Sequence, residues 1–313
     1  MQMLTAEQTL HDICRWRPAL ASILEPIAPL FQKQEELSAH CATEFTQRHN
    51  SLPAYDTTRF SQGISILIDS DLPECAWAFD LCAEAFQQPL QAIPALAEKI
   101  VPLAQVFRHL SHPDQKRFFE AVTTSNPDLI VPIANEANVV PLELSLYASF
   151  VVSAILHGLV CASYQDPEAE RPWDENNVWQ QGYCPVCGSY PTLGWLDRGK
   201  VDERNTYLLP GGGRKHLHCG VCGANWRFLR LACPLCGIAK SKHIEILAEE
   251  SNTHGESLDW CSECQSYCPT VDVRERIAMP NLDAQAPGML HLELIAWEKN
   301  LKPLRSSFWN TFS

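Results

Sequence analysis

The sequence predicts an α + small β fold, in which a helical first half is followed by a smaller second half built around paired cysteines. Apolar residues at helical spacing run through the first 170 of 313 residues. From residue 184 onward the chain changes to short segments, glycines and four Cys-x-x-Cys pairs. The stretch 164–177 between the two halves is acidic and contains prolines, which is typical of a linker.

Apolar stripes at steps of three and four residues indicate where the helices lie. They predict five helices in the first half, over residues 27–45, 75–86, 96–110, 111–122 and 144–161. Pro102 is expected to kink the third of these helices. In the second half, only the stretch 291–301 looks helical. Together the first five helices predict an irregular bundle.

The segment 144–161 is the most apolar of the chain and is about long enough to span a bilayer. It also contains three serines, a glycine and His157, and acidic residues follow it. We therefore expect a buried central helix and no membrane insertion. The first sixteen residues lack the basic start and apolar run of a secretory signal, so we expect a cytoplasmic protein.

Charge is distributed unevenly along the chain. Residues 1–182 hold 10 Lys/Arg and 23 Asp/Glu, which accounts for the whole net charge of −13. Residues 183–282, around the paired cysteines, hold 11 of each sign. Binding to nucleic acid rests on phosphate neutralisation, so this balance argues against a nucleic-acid partner.

Fourteen cysteines fall into two groups. Five are single and mostly lie on apolar stripes, so we interpret them as small buried hydrophobes: Cys14, Cys41, Cys75, Cys82 and Cys161. The other nine lie in "YCPVCGS", "HCGVCGA", "ACPLCGI" and "WCSECQSYC". A disulfide framework is not expected in a long cytoplasmic chain, and no βαβ context indicates a thioredoxin-like dithiol.

Metal binding fits the paired cysteines best. In a knuckle, two thiolates face one ion, and a glycine after the second cysteine accepts the tight backbone turn. Gly188, Gly223 and Gly237 occupy that place, whereas the fourth unit has Gln265. Two knuckles make one tetrahedral site, so four knuckles predict two tetracysteine sites that hold zinc or a single iron.

The spacing favours sequential pairing of the knuckles, although cysteine spacing alone leaves interleaved pairing open. Site one then consists of Cys184, Cys187, Cys219 and Cys222, and site two of Cys233, Cys236, Cys261 and Cys264. Cys268 is a ninth cysteine that could replace Cys261 or stay free, and we leave it out because the other three knuckles are all Cys-x-x-Cys.

Histidines and basic residues flank the knuckles. His216 and His218 could substitute as ligands, but eight cysteines already complete two sites. Each set of four cysteines around a divalent ion carries a net charge of about −2, which favours nearby cations. Four cations lie beside the knuckles and either compensate this charge or face a partner: Arg214, Lys215, Arg227 and Arg230.

This pattern resembles the FdhE family, the accessory proteins of formate dehydrogenase. The resemblance covers the chain from about residue 180 to its end and rests on the order and spacing of the four knuckles. The matching segments are "CPVCGSYP", "LHCGVCGANW" with Trp226, Arg230, "CSEC" with Tyr267, and "HLELIAWEKN". The chain differs from the family pattern by an insertion over 197–213 and by the continuation Tyr267-Cys268-Pro269.

The resemblance implies a helical N-terminal domain followed by two rubredoxin-like (zinc-ribbon-like) modules. With the linker, it predicts a helical domain over 1–172, a first tetracysteine module over 173–232, and a second module with a C-terminal helix over 233–313. The eight cysteines assigned above carry over as metal ligands.

The resemblance also implies a role. Family members are cytoplasmic and are not themselves enzymes. They bind the catalytic subunit of a respiratory formate dehydrogenase, a molybdenum or tungsten enzyme, and are needed for its maturation. A homodimer is compatible with this interpretation. The alternatives are a rubredoxin-like electron carrier and a zinc-ribbon protein that binds nucleic acid.

Overall fold

A computed structural model describes residues 2–94, 96–164, 171–173, 178–197, 213–251 and 253–311. The predicted insertion over 197–213 and the predicted linker over 164–177 lie largely outside the described residues.

Helices dominate the first half. The α-helices there are α1 (Ala6–Trp16), α2 (Ala21–Gln47), α3 (Thr57–Ser61), α4 (Ala76–Gln91), α5 (Ile100–Gln105), α6 (His112–Thr124), α7 (Val131–Glu136) and α8 (Pro141–Ser163). Thr5 opens the first helix with a capping box: its hydroxyl accepts from the Gln8 backbone N–H, and the Gln8 side chain accepts from the Thr5 N–H. Helices therefore occupy all five segments predicted from the apolar stripes.

The predicted helix over 96–110 is shorter than expected. Only Ile100–Gln105 is regular helix, and turns flank it on both sides. Pro102 offers no backbone N–H, and His109 takes a left-handed conformation that a helix cannot continue. The apolar stripe is nevertheless buried, since Leu96 and Phe107 both lie in the core.

The helix α8 is the centre of the first half. It packs along α2, and a side chain at Gly158 would place its Cβ 2.4 Å from the Cβ of Cys41, so glycine allows the close approach. By length and apolar composition α8 could cross a membrane, but 67% of its apolar window is buried inside the protein. It is therefore the central core helix that the sequence predicts.

Seven strands of the second half form one continuous sheet. They are β2 (Leu193–Asp197), β3 (Arg214–His218), β4 (Asn225–Phe228), β5 (Ile244–Ala248), β6 (Glu256–Cys261), β7 (Ser266–Asp272) and β9 (Lys302–Pro303). The order is β4-β3-β2-β7-β6-β5, and β9 pairs with β7. Each module contributes three antiparallel strands, and the parallel pair β2–β7, with Gly194 opposite Thr270, joins the modules.

The N-terminal segment packs against the second half. The short strand β1 (Gln2–Met3) pairs with β8 (Ala278–Met279), and α1 packs on α9 (Leu282–Gly288). The helix α10 (Leu290–Glu298) overlaps the segment 291–301 that was predicted as helical, whereas α9 was not predicted. A Cβ at Gly288 would lie 2.4 Å from the Ile13 side chain, which shows how closely α1 and α9 approach.

The apolar core crosses the predicted domain boundaries. One cluster of buried residues contains the helical first half together with the four cysteines of site one. A second cluster lies between β6, β7 and the helices α9 and α10. The domain limits at 172 and 232 stay predictions.

An ion pair ties the helical half to the second module. The Arg17 guanidinium donates to Glu256 at 2.8 Å and to Glu249 at 2.9 Å, and the Glu256 side chain is only 2% exposed. Removing one partner of a buried pair leaves an uncompensated charge in a poorly solvated place. This pair therefore contributes to holding the first helix on the sheet.

Replacing Arg17 with alanine is expected to lower the free energy of unfolding by about 2 kcal/mol, since Glu256 loses its closest cation and, among the described arginines, keeps Arg276 at the longer distance of 3.9 Å. Urea denaturation of both proteins would measure this. The control is Arg15→Ala, which removes an exposed pair with Asp12 and should cost less than about 0.5 kcal/mol. Equal losses in the two variants would contradict the assignment.

Candidate metal centres

All four knuckles have the same backbone turn. The N–H of the residue after the second cysteine donates to the carbonyl of the first cysteine, at 2.8–3.0 Å in each case. In three knuckles that residue is glycine in the left-handed region, with φ between 71° and 78°. In the fourth it is Gln265 with φ 56°, so the local geometry is preserved without glycine. The repeated turn aims both sulfurs of a knuckle the same way.

Gln265→Gly is expected to stabilise the second module by about 1 kcal/mol. The left-handed conformation of Gln265 costs about that much free energy for a residue with a Cβ, and glycine adopts it without this cost. The midpoint of urea denaturation should rise. A matched control is Gln62→Gly, because φ of Gln62 is −90° and this backbone is not strained. Glycine there only increases the conformational entropy of the unfolded chain, so the stability of the protein should fall. A lower midpoint for Gln265→Gly would show that no strain is stored at this turn.

Site one brings together the sulfurs of Cys184, Cys187, Cys219 and Cys222, all within 4.8 Å of one another. The Cys184–Cys222 and Cys187–Cys219 sulfur distances are 3.4 Å and 3.5 Å. All four residues are buried. The backbone N–H of Val186 donates to the Cys184 sulfur at 3.4 Å, as expected inside a knuckle.

Site two brings together Cys233, Cys236, Cys261 and Cys264 in the same way. The Cys233–Cys264 and Cys236–Cys261 sulfur distances are 3.5 Å and 3.8 Å. Unlike site one it reaches the surface: Cys236 is exposed and Cys264 is partly exposed. The two sites are alike in ligands and differ in solvent access.

The donor set fits a tetrahedral ion. Metal–sulfur bonds of about 2.3 Å around one centre place the sulfurs about 3.8 Å apart, close to the separations in both sites. Four thiols this close cannot all ionise without a cation. Burial raises the pKa of Cys184 and Cys222; it would also raise the pKa of Cys219, but hydrogen bonds from neighbouring thiols outweigh burial there and lower it. Either group of four cysteines could hold a metal ion, and four sulfurs leave iron and zinc both suitable.

Polar side chains surround site one. His218, at the end of β3, contacts Asp283 at 3.0 Å and Asn225 at 3.2 Å. Burial opposes the charged form of both groups, but Asp283 raises the pKa of His218, and His157 and His218 together lower that of Asp283. His157 lies 3.8 Å from Asp283, and its ring packs against Gly223 of the knuckle.

A buried cation also faces site one. The Arg305 guanidinium donates to the Ser189 hydroxyl and to the Val122 carbonyl. Burial lowers the pKa of Arg305, and the sulfurs of Cys219, Cys187 and Cys222 oppose that shift. Arg305 is therefore placed to compensate the negative charge of four thiolates around an ion.

Site two has its own polar neighbours. The Ser266 hydroxyl lies 3.0 Å from the Cys264 sulfur and 3.5 Å from the Cys233 sulfur. Burial would raise the pKa of Cys233, but the backbone N–H of Cys236 and the Ser266 hydroxyl lower it to about 7.

Lys215 is buried and pairs with Asp259 at 2.5 Å. Cys268 lies near them, outside the four-sulfur group, with its thiol directed at the Pro269 carbonyl.

The histidines and basic residues that flank the knuckles in the sequence have contacts of their own in the structure. The rings of both candidate histidines are engaged elsewhere, His218 as described and His216 with Asp197 at 3.0 Å and stacked on Trp195. Burial opposes the charge of Lys215, but its partner Asp259 raises its pKa, and Cys268 and Cys233 contribute less. Arg230 lies near Asp272 and helps to lower the pKa of that carboxyl group.

One prediction about the single cysteines is wrong. Cys41, Cys75 and Cys82 are buried, with 3.8 Å between the sulfurs of Cys41 and Cys82, but Cys14 is only partly buried and Cys161 is exposed. Cys161 lies in the last turn of α8, after Leu159, the last buried residue of that helix.

The sequence reasoning missed the polar neighbours of both sites. Arg305, Asp283 and Ser266 lie far along the chain from the cysteines they serve or in an unremarkable sequence context. For Arg305 the sequence offers only a weak signal, which is the presence of one basic residue beside Ser307 and Phe308 in a short apolar tail.

Known proteins share parts of this sequence and this fold. No family model matches the sequence. An FdhE homologue of Aquifex aeolicus is 27% identical over 173 residues, which are 53% of this chain and 57% of that protein. An FdhE homologue of Citrobacter koseri is 23% identical over 298 residues, 88% of this chain and 87% of that protein. The crystal structure of FdhE from Pseudomonas aeruginosa superposes with a TM-score of 0.57 at 16% identity, over 97% of this chain and 94% of that chain.

The fold and the sites define a class of protein in which a helical bundle carries two tetracysteine modules on one sheet. The matched sequences and the shared fold make this chain similar to FdhE proteins. Several curated relatives are matched over about half of their length or less, 57% for Aquifex aeolicus and 39% for Shewanella baltica.

Proposed function

We propose that the eight paired cysteines bind two metal ions, iron or zinc. Site one would use Cys184, Cys187, Cys219 and Cys222, and site two Cys233, Cys236, Cys261 and Cys264. The four sulfurs of each set lie within 4.8 Å of one another, which supports sequential pairing of the knuckles. Each ion would supply a rigid junction between two knuckles that have little apolar core of their own.

The function that best fits the family and the sites is that of a formate dehydrogenase accessory protein. It would bind the catalytic subunit of a respiratory formate dehydrogenase, a molybdenum or tungsten enzyme, and support its maturation in the cytoplasm. Similarity to FdhE proteins carries this proposal. Four sulfurs close each site and leave no coordination position for a substrate, which favours a non-enzymatic role.

An anaerobic affinity purification from the native host grown on formate tests the proposal. We expect a formate dehydrogenase catalytic subunit to purify with the parent protein and not with a Cys219→Ser/Cys222→Ser variant. Cys161→Ser, which changes an exposed cysteine outside both sites, is the matched control and should retain the partner. Absence of that subunit from the parent sample, with its metal content intact, would overturn the assignment.

A second candidate function is electron transfer through iron in site two. The exposed Cys236 favours it, because a sulfur ligand at the surface brings the metal close to a redox partner. Reversible bleaching of an iron–thiolate absorption at a physiological potential, with turnover in a coupled assay, would support it. Tightly bound zinc in site two of protein purified from the native host would exclude it.

A further inference from the structure

An open groove lies where the helical half, site one and the C-terminal segment meet. It has a volume of about 560 Å³. One wall is α8, the other is the segment 305–311, and Gly220 and Val221 of the second knuckle lie at its base. A site of this size between structural units can bury several side chains of a ligand.

The walls of the groove are mainly apolar. Leu142 in the first turn of α8 is 76% exposed, and Phe308 and Trp309 pack edge to face with ring centroids 5.0 Å apart. Large exposed apolar side chains that line one concave surface usually mark a binding site. Further apolar lining comes from Phe31, Leu96, Val122, Leu146 and Phe150.

Two polar side chains belong to the lining of the groove. Gln34 and Ser153 are each 6% exposed and line the groove. An amide and a hydroxyl offer hydrogen-bond donors and acceptors to the backbone of a ligand.

The surroundings of the groove are negatively charged. Glu98, Glu120 and Asp128 are exposed and lie within two residues of groove-lining positions, and no ion pair engages them in the described chain. The groove's own Glu143 and Asp283 are paired with Lys99 and His218. Arg305, the groove's own cation, is turned toward Ser189, Val122 and the thiols of site one. Residues 1–182 carry the whole net charge of −13, so a ligand with positive charge is favoured.

We propose that this groove binds a polypeptide segment in which apolar side chains are followed or preceded by lysine or arginine. The apolar side chains would pack against Leu142, Leu146 and Phe308, and the basic residues would meet the exposed carboxylates. The inference rests on the proposed function, because the segment would belong to the partner enzyme.

Fluorescence anisotropy with synthetic peptides tests the groove directly. The probe is a labelled Leu/Ala peptide of about 16 residues, about 24 Å long as a helix, with three lysines at one end. Two control peptides carry glutamate in place of lysine and serine in place of leucine. We expect the lysine peptide to bind in a saturable way, and both control peptides to bind at least tenfold more weakly.

Substitutions locate the site. Leu142→Ser should weaken binding of the lysine peptide about tenfold, the loss expected for one partly buried leucine. Leu229→Ser is the matched control, since Leu229 is also largely exposed, at 63%, but lies outside the groove. The triple variant Glu98→Gln/Glu120→Gln/Asp128→Asn should weaken binding about fivefold in low salt and leave the dependence on leucine unchanged.

Each other outcome overturns the proposal. Equal binding of the lysine and glutamate peptides would remove the charge assignment, and equal effects of Leu142→Ser and Leu229→Ser would remove the groove. Conversion of a dimer to a monomer by Leu142→Ser, measured by light scattering, would show that a second copy of the chain covers this face. Recovery of formate dehydrogenase by the parent protein without any peptide binding would leave the proposed function intact and refute the groove alone.

Discussion

Replacing Cys219 with serine is expected to release the metal of site one and to unfold most of the molecule. Cys219 and the other three ligands belong to the same apolar cluster as the helices of the first half. Binding of a structural ion by cysteine ligands is worth about 10–16 kcal/mol in small zinc modules, comparable with the total stability of a domain. We expect a loss of at least about 5 kcal/mol and no cooperative unfolding transition at 37 °C.

Metal content by mass spectrometry and thermal unfolding by circular dichroism would measure this effect. Cys161→Ser is the control, because it changes an exposed cysteine that belongs to neither site. Chelation of the parent protein should reproduce the serine phenotype. A variant that lacks the metal of site one yet unfolds at the parent temperature would show that the site does not stabilise the core.

Substitution of a cysteine in site two should have a different effect, because site two is partly open to solvent and site one is buried. Cys236 is exposed, and the apolar cluster beside site two is smaller and separate from the main core. Loss of its metal is therefore expected to loosen the strands β5 and β6 while the helical half stays folded. A chelator is therefore expected to reach site two before site one.

The local parts of this architecture could be predicted from the sequence. A Cys-x-x-Cys-Gly unit carries its own backbone geometry, so the knuckles and the positive φ after Cys187, Cys222 and Cys236 follow from a few adjacent residues. The buried helix α8 could be predicted from its apolar composition. In these cases the determining interactions are close in the sequence.

The parts that depend on distant contacts could not be predicted. The pairing of Gly194 with Thr270 joins the two modules into one sheet, and no periodicity in either strand indicates the other. Arg305 faces sulfurs more than eighty residues earlier in the chain. The exposure of Cys161 depends on where neighbouring helices end, which an apolar stripe does not show. Local periodicity predicts which side of a helix is buried, but not which other element packs against that side.

Substituting Glu293 with glutamine is expected to stabilise the protein at pH 8 by up to about 3 kcal/mol. Glu293 on α10 is 1% exposed, one of its carboxylate oxygens has no hydrogen-bond partner in the described chain, and the other accepts from Asn310 at 3.4 Å. Burial raises the pKa of Glu293 from 4.5 to about 7. The folded state therefore holds a proton that the unfolded state releases, and deprotonation in the folded state costs free energy.

The sign of the effect follows from this shift. Below pH 4.5 both states are protonated and Glu293 imposes no penalty. As the pH rises from 4.5 to about 7 the unfolded state alone ionises, so stability falls, and above pH 7 the full penalty remains. The groups that face Glu293 from β7 do not titrate in this range, since burial raises the pKa of Cys268 to about 12 and the pKa of Tyr267 further still.

Urea denaturation of parent and variant across pH 5 to pH 8 would measure the difference. Acid also removes metal from thiolate sites, but this affects both proteins alike and cancels in the comparison. Glu298→Gln, at the exposed end of the same helix, is the control and should leave the profile unchanged. A stability difference between Glu293→Gln and the parent that does not vary with pH would mean that Glu293 titrates at its ordinary value.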